Sequence, residues 1–232
     1  MGFSRGPKVV TDGLVLALDA ANTKSYPGSG TTWSDLSGNG NNGTLINGPT
    51  FDSGNNGSIV FDGADDTASY SIGGFTPFDN FTLEIIFKIN IFAEGIFFGA
   101  GHAANGPYGW EIRQNGTIRF GSRPGSGGST RTVSFSPSTN IIYHATGVHK
   151  GSIGIISMHI NNNLIGNTNI DQAAGGYSSG VIGTQSGQRL GGSGSASIPF
   201  NGSIYNIKIY NKALTAQEIL QNYNATRSRY GL

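Results

Sequence analysis

Alternation of apolar and polar residues is the strongest signal along the chain. In "FTLEIIFKIN", Phe81, Leu83, Ile85, Phe87 and Ile89 fall on one face, while Thr82, Glu84, Lys88 and Asn90 fall on the other, with Ile86 the exception. A period of two describes a half-buried strand, and it points Glu84 outward beside Lys88. "GLVLALDA" alternates Leu14, Leu16 and Leu18 in the same way, and "SIYNIKIYN" sets Tyr205, Ile207 and Ile209 against Asn206 and Lys208. Further runs rich in Ile, Val, Phe and Tyr have strand length and are punctuated by Gly and Asn turns. Many short strands at regular spacing predict an all-β sandwich or barrel.

One hairpin can be argued to its register. In "YGWEIRQNGTIRFG" a two-residue loop at Asn115-Gly116 mixes charged and apolar side chains on both faces. A three-residue loop, Gln114-Asn115-Gly116 with Gly116 left-handed, pairs Trp110 with Phe120, Ile112 with Ile118 and Glu111 with Arg119. One helix is predicted, over 215–224: Thr215 and Glu218 form a capping box ahead of an apolar stripe of Ile219, Leu220 and Tyr223. The helix is expected to close one end of the sandwich. No linker or internal repeat divides the sequence, so a single domain over 1–232 is expected, with an N-terminal extension over 1–10 and a C-terminal tail over 225–232.

Composition narrows the function classes. Glycine is abundant, at 38 residues, and only 12% of residues are charged, which suits dense turns around a sizeable core. A net charge of +1 without a basic run gives no footprint for a nucleic-acid backbone and none for a membrane surface. No segment reads as a signal peptide or a transmembrane helix, so synthesis in a cytosol is expected. The absence of cysteine excludes disulfides, thiol catalysis and cysteine-zinc sites.

The segment "GSGTTWSDLSGNGNNGTL" sets Trp33 among small polar residues. Trp33 is expected to anchor the loop on the core and Asp35 to cap its own backbone, with Asn-Gly pairs supplying left-handed turns. No Lys follows these glycines to make a phosphate loop. Asn42, Asn56, Asn80, Asn115, Asn201 and Asn224 begin Asn-x-Ser/Thr triplets, which Asn turns leading into Thr or Ser produce without any glycan.

The opening block "DGLVLALDAANTKSYPGSGTTWSDLSGNGNNGTLINGPTF", "GSIVFDGADD", "FTLEIIFKIN" and the closing "FNGSIYNIKIYNKALTAQEI" together resemble concanavalin A-like, laminin-G-like jelly-roll domains, most strongly those of tailed bacteriophages. The resemblance implies two packed antiparallel sheets in a jelly roll. It also implies a place on a virus particle.

Relatives of this kind often hold calcium, for which Asp62, Asp65 and Asp66 in "FDGADD" offer hard oxygen donors. The closing strand, however, reads "GSIYNIKIY" where many relatives carry acidic residues. Glucanases of the fold use two glutamates and an aspartate on one strand, with the nucleophile and acid about 5–5.5 Å apart. No Glu-x-Asp-x-x-Glu occurs here. Glu84, Glu94, Glu111 and Glu218 stand apart, and His102, His144, His149 and His159 have no nucleophile or acid at local spacing, so an enzyme is not expected. His102, Tyr108 and Tyr177, in "GHAANGPYGW" and "DQAAGGYSSG", are candidates for a sugar-stacking platform. The expected function is that of a non-enzymatic virion protein, assembled in the host cytoplasm as a decoration, collar or fibre component. Its expected partners are other virion proteins, further copies of itself and host-surface polysaccharide. A free-standing carbohydrate-binding module and a glycoside hydrolase are the alternatives.

Overall fold

The computed structural model describes residues 7–72, 79–92, 95–98, 107–112, 115–122, 131–170, 188–190 and 200–232. In chain order its first strands are β1 Leu14–Asp19, β2 Thr32–Trp33, β3 Gly43–Ile46, β4 Thr50–Asp52, β5 Ser58–Asp62, β6 Thr67–Tyr70, β7 Asn80–Ile91 and β8 Gly95–Phe98. There follow β9 Pro107–Ile112, β10 Ile118–Ser122, β11 Arg131–Phe135, β12 Ile142–Lys150, β13 Ile155–Ile160, β14 Asn163–Asn169, β15 Gln188–Leu190, β16 Asn201–Tyr210 and the helix α1, Ala216–Tyr230. All pairings are antiparallel. One layer is an eight-stranded sheet ordered β14-β13-β12-β7-β16-β5-β4, with β1 also paired to β16. Two four-stranded sheets, β11-β10-β9-β8 and β15-β6-β3-β2, face the same core.

That core follows from the period-two pattern. Phe81, Leu83, Ile85, Phe87 and Ile89 all point inward and are buried. The β9–β10 hairpin has the register that separates apolar from charged surface: Trp110 opposes Phe120, Ile112 opposes Ile118 and Glu111 opposes Arg119, with Gly116 at φ 81°. The Phe120 ring lies against the backbone of Gly147 in β12, where a β-carbon would come within 2.4 Å of it. Gly147 is therefore the socket into which the second layer seats its aromatic ring.

Three expectations are corrected. In β16 a bulge between Ile204 and Asn206 turns Tyr205 to the outer face, where it packs with Ile86 and Tyr230. The helix continues to Tyr230, so 225–230 are helical and not a tail. It also lies across the outer face of the large sheet and does not close an end: Ile219 packs with Val148 and Tyr210, and Tyr230 with Ile86. Its capping box is formed as expected, with Thr215 accepting from the Glu218 N–H.

The Trp33 loop is a lattice of turns tied to β1. Trp33 is fully buried. Asp35 Oδ1 accepts from the N–H groups of Ala17 and Ser37, both at 2.9 Å, and its Oδ2 accepts from the Asn41 N–H at 3.0 Å. The triplet asparagines do similar work: Asn42 accepts from the Asp35 N–H, Asn56 donates to the Arg229 carbonyl and Asn201 donates to the Asp62 carbonyl.

His149, next to last in β12, lies on the inner face, its ring stacked on Phe81 at 4.4 Å and its Nδ1 2.9 Å from the Asp79 carbonyl. Burial pushes its pKa down to about 4, against the pull of Asp79. An unfolded chain takes up this proton near 6.5, the native fold only near 4. Native stability is therefore fully present above the higher value and falls as the pH drops from one to the other. His149→Gln is expected to flatten urea-unfolding stability against pH in that window; an unchanged slope would assign the dependence to other groups.

Candidate functional site

The turn between β5 and β6 brings Asp62, Asp65 and Asp66 together, with one carboxylate oxygen from each within 4.8 Å of the others. Local hydrogen bonds build it. Asp66 Oδ2 accepts from the Asp62 N–H at 3.0 Å, Asp62 Oδ1 accepts from the Ala64 N–H at 2.7 Å, and Asn47 in the neighbouring turn donates to the Asp65 carbonyl. Asp62 and Asp65 are exposed and Asp66 is buried. Burial raises the Asp66 pKa, the Asp62 N–H opposes the rise, and the charges of Asp62 and Asp65 add to it. Three crowded hard-oxygen ligands fit part of the shell that calcium requires, and a cation there relieves their repulsion. Calcium at about 100 times its dissociation constant is expected to stabilise the fold by about 2.7 kcal/mol, roughly 5–10 °C in melting temperature for a chain of this size. Asp66→Asn should reduce such a gain sharply; a melting curve indifferent to calcium rules the cluster out as a calcium site.

A second polar cluster lies beneath α1. Glu84 is directed to the outer face, as its strand position requires, but the helix buries it completely. Its partner is Lys208 and not Lys88: Lys208 Nζ donates to Glu84 Oε1 at 2.6 Å and to Asn206 Oδ1 at 2.7 Å. Asn222 of the helix donates to Glu84 Oε2 and to the Tyr210 hydroxyl, both at 2.9 Å, and accepts from the Val10 N–H at 2.8 Å. His144 Nε2 stands 3.2 Å from Glu84 Oε1 and its ring stacks on Tyr223. Burial alone raises a carboxyl pKa, but Lys208 and His144 together override it and hold Glu84 well below the usual carboxylate range. Closed off from solvent, this cluster fastens the helix to the sheet and has no room for a substrate.

Of the proposed sugar platform, His102 and Tyr177 lie outside the described residues; Tyr108 takes a place in β9, its side chain outside the described set. Among the described glutamate side chains, Glu84 is buried and Glu218 is held by Lys212 at 2.7 Å and by its cap. The two do not make a pair flanking an open cleft. Among the described residues no helix is long and apolar enough to cross a membrane.

The profile of the laminin-G-like family described as the Concanavalin A-like lectin/glucanases superfamily matches residues 53–220. The chain belongs to this superfamily. No curated protein sequence matches the chain. Its fold is similar to that of the binding domain of Paraclostridial Mosquitocidal Protein 1, at a TM-score of 0.69 and 17% identity, over 93% of this chain and 52% of that one. It is similar also to the receptor binding domain of botulinum neurotoxin D, at 0.68 and 14%, over 92% and 52%. A third likeness, at 0.68 and 15% over 92% and 51%, is to the botulinum neurotoxin serotype D ligand binding domain in complex with N-acetylneuraminic acid. The chain spans about half the length of these proteins, and at such identities the likeness is one of fold.

Proposed function

We propose that the protein is a non-enzymatic carbohydrate-binding domain. The observation that carries this reading is the fold likeness, over more than nine-tenths of the chain, to toxin domains whose names record receptor or ligand binding, one of them with an acidic sugar. The described glutamates support it, because neither is placed for acid or nucleophile chemistry on a glycosidic bond. Calcium at Asp62, Asp65 and Asp66 would brace the β5–β6 turn. The setting we propose is the surface of a tailed-phage particle, with virion proteins and further copies of the chain as neighbours, on the resemblance of the opening and closing segments to phage domains. A glycan-array screen, followed by incubation of each bound glycan with the protein, tests the function. Retention without release of reducing ends is expected; sustained release abolished by changing one glutamate would establish the hydrolase instead. Mass spectrometry of purified virions tests the setting.

A further inference from the structure

Helix α1 covers the outer face of the large sheet only in part. Beside it lies a groove of about 320 Å³, floored by the outward side of β12, β13 and β14 and walled by the start of α1. A hollow of about 400 Å³ continues past Leu164 and Ala216 toward Leu220. The size falls within the range of small-ligand sites.

The floor is polar in a particular way. Lys150 comes from β12, Ser157 and His159 from β13 and Asn167 from β14, brought to one side by the strand period and by a register that sets Ser157 opposite Asn167 and His159 opposite Leu164. Among the described residues, none of these four side chains has a hydrogen-bond or ion-pair partner, and no acidic residue lines the groove or its continuation. Burial lowers the His159 pKa and the charge of Lys150 lowers it further, which favours the neutral imidazole, so the Lys150 ammonium and an imidazole N–H face one space with no anion between them. Leu164 and Leu220 flank the space at 56% and 41% exposure.

We propose that this groove binds a carboxylate-bearing sugar, with Lys150 and His159 on the carboxylate, Ser157 and Asn167 on hydroxyls, and Leu164 against the apolar face of the ring. The proposal rests on the glycan-binding reading and gives it a ligand class and a place. Charge complementarity with Lys150 selects an anion, and Ser157 and Asn167, opposite one another on β13 and β14, suit ring hydroxyls. An extended peptide fits less well over the floor, where β12 and β13 are each hydrogen-bonded on both sides and present side chains, the free strand edge lying only at β14 on its far side.

Titrating the full-length protein with methyl glucuronide, and following backbone and His159 ring resonances by NMR, tests the proposal. Saturable shifts at Ser157, His159 and Asn167 are expected, with methyl glucoside binding at least about tenfold more weakly, as the loss of a charge-assisted contact implies. Lys150→Gln should weaken the glucuronide by a similar factor, and Asn167→Ala should weaken both sugars. Equal binding of the glucoside overturns the proposal, as does acetate or an acidic peptide matching the glucuronide, or an absence of saturable shifts. If glycans retained on an array bind the Lys150→Gln protein undiminished, the groove is excluded while the glycan-binding function stands.

Discussion

Glu84→Ala is expected to cost about 3–5 kcal/mol of folding stability, because it leaves the Lys208 ammonium buried without its counter-charge. The structure adds a second loss: Asn222 no longer has Glu84 Oε2 to donate to, and the helix loses one of its ties to the sheet. Lys208→Met should be destabilising for the converse reason, with Glu84 then uncompensated apart from His144. Lys88→Met should change stability by less than about 1 kcal/mol, as for a group outside the buried pair. Combining Glu84→Leu with Lys208→Met should cost much less than the sum of the singles, since apolar replacement of a whole buried pair is often near neutral. Urea titrations of the set decide between the two lysines. Acid adds a check: Glu84 has a depressed folded pKa, so its contribution is complete above the ordinary carboxylate value and is lost as the pH falls below it toward the folded value.

Phe120→Ala should lose about 3–5 kcal/mol as a large-to-small core change, because its ring fills the space over Gly147 and meets Trp110 at 5.1 Å between centroids. Arg119→Ala, one residue away and facing outward opposite Glu111, should lose less than about 1 kcal/mol. Reversed costs in equilibrium unfolding would invalidate the register. Gly147→Ala should also be severe, since a β-carbon there would come within 2.4 Å of the Phe120 ring, which a close-packed interior leaves little room to move.

Period and turn chemistry made the β9–β10 hairpin legible, because both are local: one glycine fixes the loop and the loop fixes every pair. The same rule failed at Tyr205, where a bulge slips the alternation by one residue, and a bulge depends on the neighbouring strands. Glu84 shows a different limit. Alternation says which face a residue occupies, not whether another element covers that face, and the helix that buries Glu84 arrives more than a hundred residues later. The length of that helix was hidden because Asn222 and Thr226, both buried, carry part of its inward stripe with polar side chains. Asp62, Asp65 and Asp66 were readable as a group since one short turn gathers them. Lys150, Ser157, His159 and Asn167 were not, because only the pairing of three strands puts them on one floor.

The antiparallel pairing of β1 with β16 also sets how the molecule answers a pull. Leu14, where the chain enters β1, lies opposite Tyr210, where it leaves β16. Tension drawn through the two ends therefore loads this ladder as a zipper, one rung at a time from Leu14 and Tyr210 toward Asp19 and Asn206, and not as a shear shared by all rungs. What stands ahead of the zipper is helix α1, held on the sheet by Asn222 to Glu84 and Arg229 to Asp19, with the clasp of Val10 by Asn222 and Tyr210 and the Lys212 bridge to Asp12. Tethered between its ends, the domain should resist until α1 and that clasp come away, and then give up β1 at low force, rung by rung.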